Sequence, residues 1–438
     1  MKVASATQER TSVQNLQRRR RGAAPRRLAL LGGTTTWGDC VAGLRHLVNA
    51  RHLIDGPVIA RYEQEFARMV GVRFGHSFSA GRVGLYGLLR AMNIGPGDEV
   101  LLQVPTHIVV ANAIRYTGAR PVYVDCQLDN YNLDLKQAEA QITPRTRVLL
   151  LQHTFGVPVD LHAALALARR HHLEVIEDCV HALGAVYDGR QVGSFGRAAF
   201  FSTEETKVIS STMGGMVVTD DVELAARLRA FQASCAWPSR SETRRYVLKL
   251  IAYFLLTEPH LHRYVRSMYE RVGQRHPLPR PTSNLELRGM RPANYEQRLS
   301  NAQAELALRQ LQRLETNLAH RRATARAYRA RLPEAASAAF RPPPESQPAY
   351  VRYPVWVRDR PAAIRAVAPY AVLGTWFTSV LEEAAEPASG DYEAGSCPRA
   401  EAAATHLVNL PTHGRVGTQD VEVMASALRN LACAPSET

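Results

Sequence analysis

Lysine is scarce in this sequence. Only four occur (Lys2, Lys136, Lys207 and Lys249) in a 438-residue chain whose lysines and arginines together number 54. Wherever a plain positive charge serves, the chain uses arginine. A lysine set between apolar strands is then a candidate for chemistry that a guanidinium cannot perform, Schiff-base formation by a deprotonated amine in particular; the competing reading is a solvated turn lysine. Paired cysteines are also lacking. The six cysteines (Cys40, Cys126, Cys179, Cys235, Cys397 and Cys433) include no CxxC spacing, which argues against a disulfide framework or a zinc site and fits a reducing cytoplasm. No apolar run approaches the ~20 residues that cross a bilayer. Residues 17–33 superficially suggest a twin-arginine export signal, but the apolar core Leu28 to Leu31 is far shorter than the ~7–15 residues of a signal segment. The net charge of +14 reflects arginine bias, part of it in the first 27 residues, and no nucleic-acid partner is expected.

What is present is the composition of a globular protein, 46% apolar and 21% charged, with length enough for a large domain and a smaller companion. Residues 1–34 read as a disordered basic tail, 35–275 as the large domain and 276–438 as a small C-terminal domain. Helical stripes (Val41, Leu44, Leu47, Val48; Tyr62, Phe66, Met69) precede a small-residue turn, Ser77 to Leu85, that opens a helix. Apolar strands then alternate with helices at 100–104, 121–126, 148–153, 174–179, 198–202 and 214–219. This pattern predicts an α/β fold whose mostly parallel sheet is sandwiched by helices, with sites at the carboxyl ends of the strands. Val247 to Leu256 is apolar except for Lys249, and it continues into an amphipathic stretch ending near Val272. A buried or subunit-facing helix is the preferred reading, with contact of 247–272 to a membrane surface as the alternative. A long helix is predicted over 297–332 with Leu299, Leu306, Leu311, Leu314 and Leu318 as its stripe.

Three features belong together. Ala80-Gly81-Arg82 at a helix start offers backbone N–H groups and a positive dipole end to a phosphate, with Arg82 free to add a charge-assisted contact. Val175-Ile176-Glu177-Asp178 ends a buried strand in paired carboxylates, where Asp178 either holds a ring nitrogen protonated or caps a helix. Lys207 follows Ser202 by five residues. A phosphate cradle, a strand-end Asp and an isolated Lys, in that order, are what pyridoxal phosphate requires.

With Ile94-Gly95-Pro96-Gly97-Asp98-Glu99-Val100, Gly118 to Asp125, Ile142-Thr143-Pro144-Arg145-Thr146, Val192-Gly193-Ser194-Phe195-Gly196, Thr206-Lys207, Gly214 to Thr219 and Leu410-Pro411-Thr412-His413 in register, the chain resembles the DegT/StrS family of sugar aminotransferases. The resemblance runs from about Leu53 to Leu428. It implies the fold-type I large domain with a smaller C-terminal α/β domain, pyridoxal 5′-phosphate as cofactor, and a homodimer. It also implies transfer of an amino group from an amino acid, glutamate or glutamine, to a keto-sugar carried on a nucleotide or to a cyclitol. Lys207 would bond the cofactor aldehyde and shuttle the proton, and Asp178 would pair with the pyridine nitrogen. Ser202 and the backbone of Gly81 and Arg82 would hold the phosphate. His107 would cover the ring, and His181 would hydrogen-bond its phenolic oxygen. The sequence departs from the family where Ala80-Gly81-Arg82 replaces Ser-Gly-Thr, His107 replaces an aromatic and His181 replaces Gln. Glu296 stands where an Asn reaches the neighbouring subunit. These departures leave two alternatives open: other sugar chemistry such as elimination or dehydration, and a non-catalytic regulatory or nucleic-acid-binding role.

Overall fold

The structure, a computed structural model, describes residues 26–30, 33–272 and 281–435. Seven strands form the main sheet. They are β1 (Phe74–Phe78), β2 (Glu99–Gln103), β3 (Arg120–Val124), β4 (Thr146–Gln152), β5 (Glu174–Asp178), β6 (Ala198–Ser202) and β7 (Gly215–Thr219). Their spatial order is β1-β7-β6-β5-β4-β2-β3. β2 to β6 run parallel, and β7 lies antiparallel to both β1 and β6. The mostly parallel sheet expected from the apolar runs is therefore present.

Both faces are covered, and the alternation of side chains shows it. Leu101, Leu149, Leu151, Val175, Phe201, Met216 and Val218 enter the core on one face. Their immediate neighbours Val100, Leu102, Val148, Leu150, Ile176, Phe200 and Val217 enter the core on the other. Successive residues of a strand point to opposite faces, so a strand buried on both must be apolar throughout. β1 escaped the sequence reading for the opposite reason. Its Phe-Gly-His-Ser-Phe lacks β-branched residues, and it sits at the sheet edge, paired only with β7.

The small domain is built on two antiparallel strands, β8 (Arg352–Trp356) and β9 (Leu407–Pro411). Tyr353, Val355, Leu410, Met424 and Leu428 lie in its core. Three boundaries differ from those expected. The helix predicted over 297–332 is two helices, Asn301–Leu311 and Leu314–Arg329. The apolar stripe stays on the sheet's core across the break at Gln312-Arg313, with Ala304, Ala307 and Leu308 before it and Leu314 and Leu318 after it, and enters the small domain only further along, at Ala325 and Tyr328. Residues 281–311, assigned to the small domain from sequence, pack instead on the large one through Tyr295 and Leu299.

The tail assignment needs a similar correction. Residues 1–25, 31 and 32 lie outside the described residues, but 26–30 are part of the fold. Leu28 is buried and bridges Ala371; its N–H donates to the Tyr370 carbonyl at 2.8 Å, and its carbonyl accepts from Val372 N–H at 3.0 Å. The apolar stretch at 247–256 belongs to the helix Arg240–Leu256, which buries Val247 and Leu250 against Ala42 and Leu306. Among the described residues no helix is long and apolar enough to cross a membrane.

Candidate active site

The carboxyl ends of β1, β5 and β6 and the amino end of β7 lie on one side of the sheet, because Phe78 pairs with Gly215 and Gly215 with Ser202. Gly215 permits this closeness. A Cβ there would lie 2.4 Å from the backbone of Ala80 and Gly81, so glycine lets β7 press against the start of the helix Gly81–Ala91. That helix begins with Ala80 in an extended conformation and has no side-chain cap. Its first N–H groups and dipole are left for a ligand anion.

A cavity of about 210 Å³ opens at this point, and its lining includes Gly81, Arg82, His107, Asp178, His181, Ser202 and Lys207. All seven residues singled out from the sequence therefore meet in one place, though they are scattered along the chain.

Lys207 is half-buried, and desolvation is the main cause that lowers its amine to about 8; the charge of Arg352 adds to the effect, while Glu204 and Asp178 oppose it. At that value a sizeable share of the amine is unprotonated near neutral pH. Asp178 is shifted the other way. Burial raises it to about 7 against the lowering effects of the Val180 N–H and the Lys207 charge. One carboxylate oxygen accepts from Val180 N–H at 3.1 Å, and the other, Oδ2, is buried with no hydrogen-bond partner. An orphaned carboxylate oxygen in a cavity suits a cationic N–H, such as a protonated ring nitrogen. His181 Nδ1 is likewise buried and unpartnered. Burial and the nearby Lys207 and Arg352 charges keep this imidazole neutral by pushing its pKa well down. Ser202 accepts from Glu204 N–H at 3.2 Å, and its hydroxyl makes only a long 3.4 Å contact to the Gly214 carbonyl. It therefore retains a proton to donate.

Two residues behave differently from the expectation. The Arg82 guanidinium is taken up by the buried Glu286 at 2.7 Å and donates to the Pro281 carbonyl at 3.0 Å. It ties the segment after residue 280 over the cavity mouth, where Pro281 and Thr282 join the lining, so only its backbone is left for an anion. Glu296 does not line the cavity; it pairs with Arg291. His107 stands at the cavity wall, its Nδ1 accepting from Val109 N–H and its Nε2 lying 3.3 Å from Glu383. Glu383 arrives there because the small-domain pair Leu381–Glu382 runs parallel to Thr106–His107.

The sequence reading missed Trp376. Its indole stacks on His181 at 4.5 Å with an interplanar angle of 16°, and Lys207 Nζ lies 4.3 Å from its ring centroid. Arg352 lies over the same ring at 3.5 Å. Tryptophan occurs four times in the chain, and that rarity was the one available signal; the fold that swings residue 376 into the site was not readable locally. Glu205 was also missed. It accepts from Tyr253 and pairs with Lys249 at 2.6 Å, fastening the loop that carries Lys207 to the helix Arg240–Leu256.

Known proteins are similar to this chain in sequence and in fold. GDP-perosamine synthase of Caulobacter vibrioides is 40% identical over 198 residues, which are 45% of this chain and 52% of that enzyme. UDP-N-acetyl-3-dehydro-alpha-D-glucosamine 3-aminotransferase of Acidithiobacillus ferrooxidans is 39% identical over 200 residues, 45% of this chain and 54% of that one. The matched stretch thus spans about half the length of these curated relatives. The crystal structure of S. venezuelae DesV in complex with a ketimine intermediate superposes with a TM-score of 0.69 at 28% identity, covering 90% of this chain and 94% of DesV. The family model for DegT/DnrJ/EryC1/StrS aminotransferases matches residues 38–429. This chain belongs to the DegT/DnrJ/EryC1/StrS aminotransferase family.

Proposed function

We propose that this protein transfers an amino group from an amino acid, glutamate or glutamine, to the ketone of a sugar carried on a nucleotide or of a cyclitol, using pyridoxal 5′-phosphate. The observation that carries the proposal is the presence in one cavity of a half-buried amine lowered to about 8 and a buried carboxylate whose Oδ2 lacks a partner. The cofactor, when bound, supplies an aldehyde for the amine to bond and an electron sink for the carbanion that forms when a Cα proton leaves.

The residues present fit that group. Asp178 Oδ2 would accept the pyridine N–H and keep it protonated, and the ionised carboxylate would then have the cationic partner it lacks. His181 would meet the phenolic oxygen and His107 would cover the ring. The N–H groups of Gly81 and Arg82, with the Ser202 hydroxyl, would hold the phosphate. The Lys207 amine would serve as the base at the donor Cα in one half-reaction and as the acid at the former ketone carbon in the other. Pro281, Thr282 and Trp376 limit water at the reacting atoms. The relatives named for GDP-perosamine and for a 3-dehydro-glucosamine nucleotide support a nucleotide-linked keto-sugar.

We place the protein in the cytoplasm, in keeping with six free cysteines, five of them buried. A homodimer is the assembly we propose. Trp37, Val41, Leu44 and Val48 form an exposed apolar stripe on the helix Trp37–Val48. Leu261, Tyr264 and Met268 form another on the helix Pro259–Val272, and a second copy would cover such faces.

The test is spectroscopic. The purified protein loaded with pyridoxal phosphate should absorb visible light, lose that band on addition of L-glutamate, and regain it with a keto acid. A protein that remains colourless with added cofactor contradicts the proposal, and a coloured protein that no amino acid bleaches contradicts transamination.

A further inference from the structure

The segment 281–290 crosses the cavity mouth and is pinned from three sides. Arg82 Nε pairs with Glu286 Oε1 at 2.7 Å, and its Nη2 donates to the Pro281 carbonyl at 3.0 Å. Glu286 is buried, and its other carboxylate oxygen accepts from the Ser283 N–H and hydroxyl at 2.9 Å each. Asn112 donates to the Glu286 carbonyl at 2.7 Å and Tyr116 to the Met290 carbonyl at 2.8 Å, which fastens the segment to the helix Ile108–Arg115 and its C-terminal end. From the small domain, Ala385 N–H donates to the Leu287 carbonyl at 2.8 Å. A segment fixed at so many points holds its side chains in one geometry.

Thr282 is what these pins present to the cavity. It shares the lining with Gly81, Arg82 and Ser202 and is only 6% exposed, yet its hydroxyl makes no hydrogen bond among the described residues. Other buried threonines nearby are already paired. Thr106 donates to Gln152 at 2.7 Å, and Thr203 shares a 2.7 Å bond with Ser211. A buried hydroxyl left unpaired is costly, so one that lines a cavity is suited to pair with what enters it.

Its neighbours define the group it meets. Val83 and Gly84 N–H both turn back to the Ala80 carbonyl, at 3.1 and 3.2 Å, which leaves the N–H groups of Gly81 and Arg82 for an anion. Ser202 keeps a hydroxyl proton. A phosphate offers three acceptor oxygens, more than these donors saturate, and the Arg82 guanidinium is spent on Glu286. We propose that Thr282 donates its hydroxyl to the cofactor phosphate, and that the Arg82–Glu286 pair is the pin that keeps it there. Arg82 then serves the anion directly through its backbone N–H and, at one remove, through Thr282. This assignment rests on the pyridoxal phosphate reading given above.

The experiment compares the wild type with Thr282→Val, which removes the hydroxyl at constant shape, and Thr282→Ser, which keeps it; Thr282→Ala replaces the valine variant should that not fold. Pyridoxamine 5′-phosphate, which cannot bond Lys207, and pyridoxamine, which lacks the phosphate, are each titrated by calorimetry. The ratio of their dissociation constants should shift about tenfold against the phosphate in T282V, the size expected when a hydrogen bond to a charged group is lost. It should stay within about threefold of wild type in T282S. The phosphorus NMR resonance of the bound compound should move in T282V. An unchanged ratio there overturns the assignment, and so does an equal weakening of both compounds, which marks a merely structural residue. Arg82→Met keeps the backbone N–H and removes the pin, so it should shift the ratio in the same sense. Adding T282V to R82M should then change the ratio by less than about threefold. Additive losses would show the Arg82 guanidinium meeting the phosphate itself and overturn the pin, as would a wild-type ratio in R82M. If R82M does not fold, Glu286→Gln takes its place in the cycle. A protein that binds neither compound and stays colourless with pyridoxal phosphate contradicts the cofactor reading instead, and inorganic phosphate titrated against wild type and T282V then judges Thr282 alone.

Discussion

Lys207 and Asp178 are displaced from their ordinary protonation behaviour in opposite senses, and each displacement has a measurable consequence for stability. Asp178 has a folded value of about 7 against an ordinary 3.8, so folding takes up a proton between those values. Its contribution to stability is present below about pH 4 and is lost as pH rises through 7. Asp178→Asn removes that loss. The cofactor-free variant should therefore melt a few degrees above wild type at pH 8, with the difference vanishing near pH 4; identical pH profiles in scanning calorimetry would contradict the assignment. The same variant should bind pyridoxal phosphate at least about tenfold more weakly, since it cannot offer a carboxylate to the ring N–H. Lys207 behaves inversely. Its folded value of about 8 lies below 10.5, so the cost of burying it is full below pH 8 and eases as pH rises toward 10.5. At residue scale the sequence disclosed a good deal. A rare lysine, a strand-end carboxylate and a small-residue helix start pointed to residues that the structure gathers around one cavity. It did not disclose Trp376 or Arg352, because their relevance depends on a small domain, far along the chain, that folds back onto Lys207.

At the scale of elements, the site depends on two close approaches. The first is β7 against the helix Gly81–Ala91. Gly215→Ala would force a Cβ to 2.4 Å from backbone, so it should shift the helix start, lower stability by ~1–3 kcal/mol and weaken cofactor binding measured by equilibrium dialysis; unchanged binding would show that the helix start does not hold the phosphate. The second is the fastening of the Lys207 loop by Lys249, Glu205 and Tyr253. Burial raises Glu205 to about 7, with the charge of Glu204 adding and Lys249 opposing. Lys249→Met leaves that carboxylate without its cation. The pair is partly exposed, so the expected cost is ~1–2 kcal/mol, read as a lower urea midpoint at pH 8 and a smaller loss at pH 6, where Glu205 is protonated. An equal loss at both pH values would contradict this. Strands β2 to β7 were legible because both-face burial demands continuous apolar runs. β1 was not, since an edge strand of Phe-Gly-His-Ser-Phe carries no such signature. The break at Gln312-Arg313 was hidden as well, because the leucine stripe continues through it on the same core, with Leu311 before it and Leu314 and Leu318 after it.

At the scale of the whole molecule, the two domains close the site together, the large one supplying Asp178 and Lys207 and the small one Arg352, Trp376 and Glu383. The exposed stripes on the helices Trp37–Val48 and Pro259–Val272 should bring two chains together. Sedimentation of the wild type should give a dimer, and Val48→Asp with Tyr264→Asp should shift it toward monomer; a monomeric wild type would refute this placement of the interface. The central claim is about a single nitrogen. With only four lysines in the chain, it can be tested without ambiguity: load the protein with pyridoxal phosphate, reduce it with borohydride, digest it and map the pyridoxyl group by mass spectrometry. The account predicts one modified residue, Lys207. Label on Lys2, Lys136 or Lys249 instead, or no label at all, would contradict it.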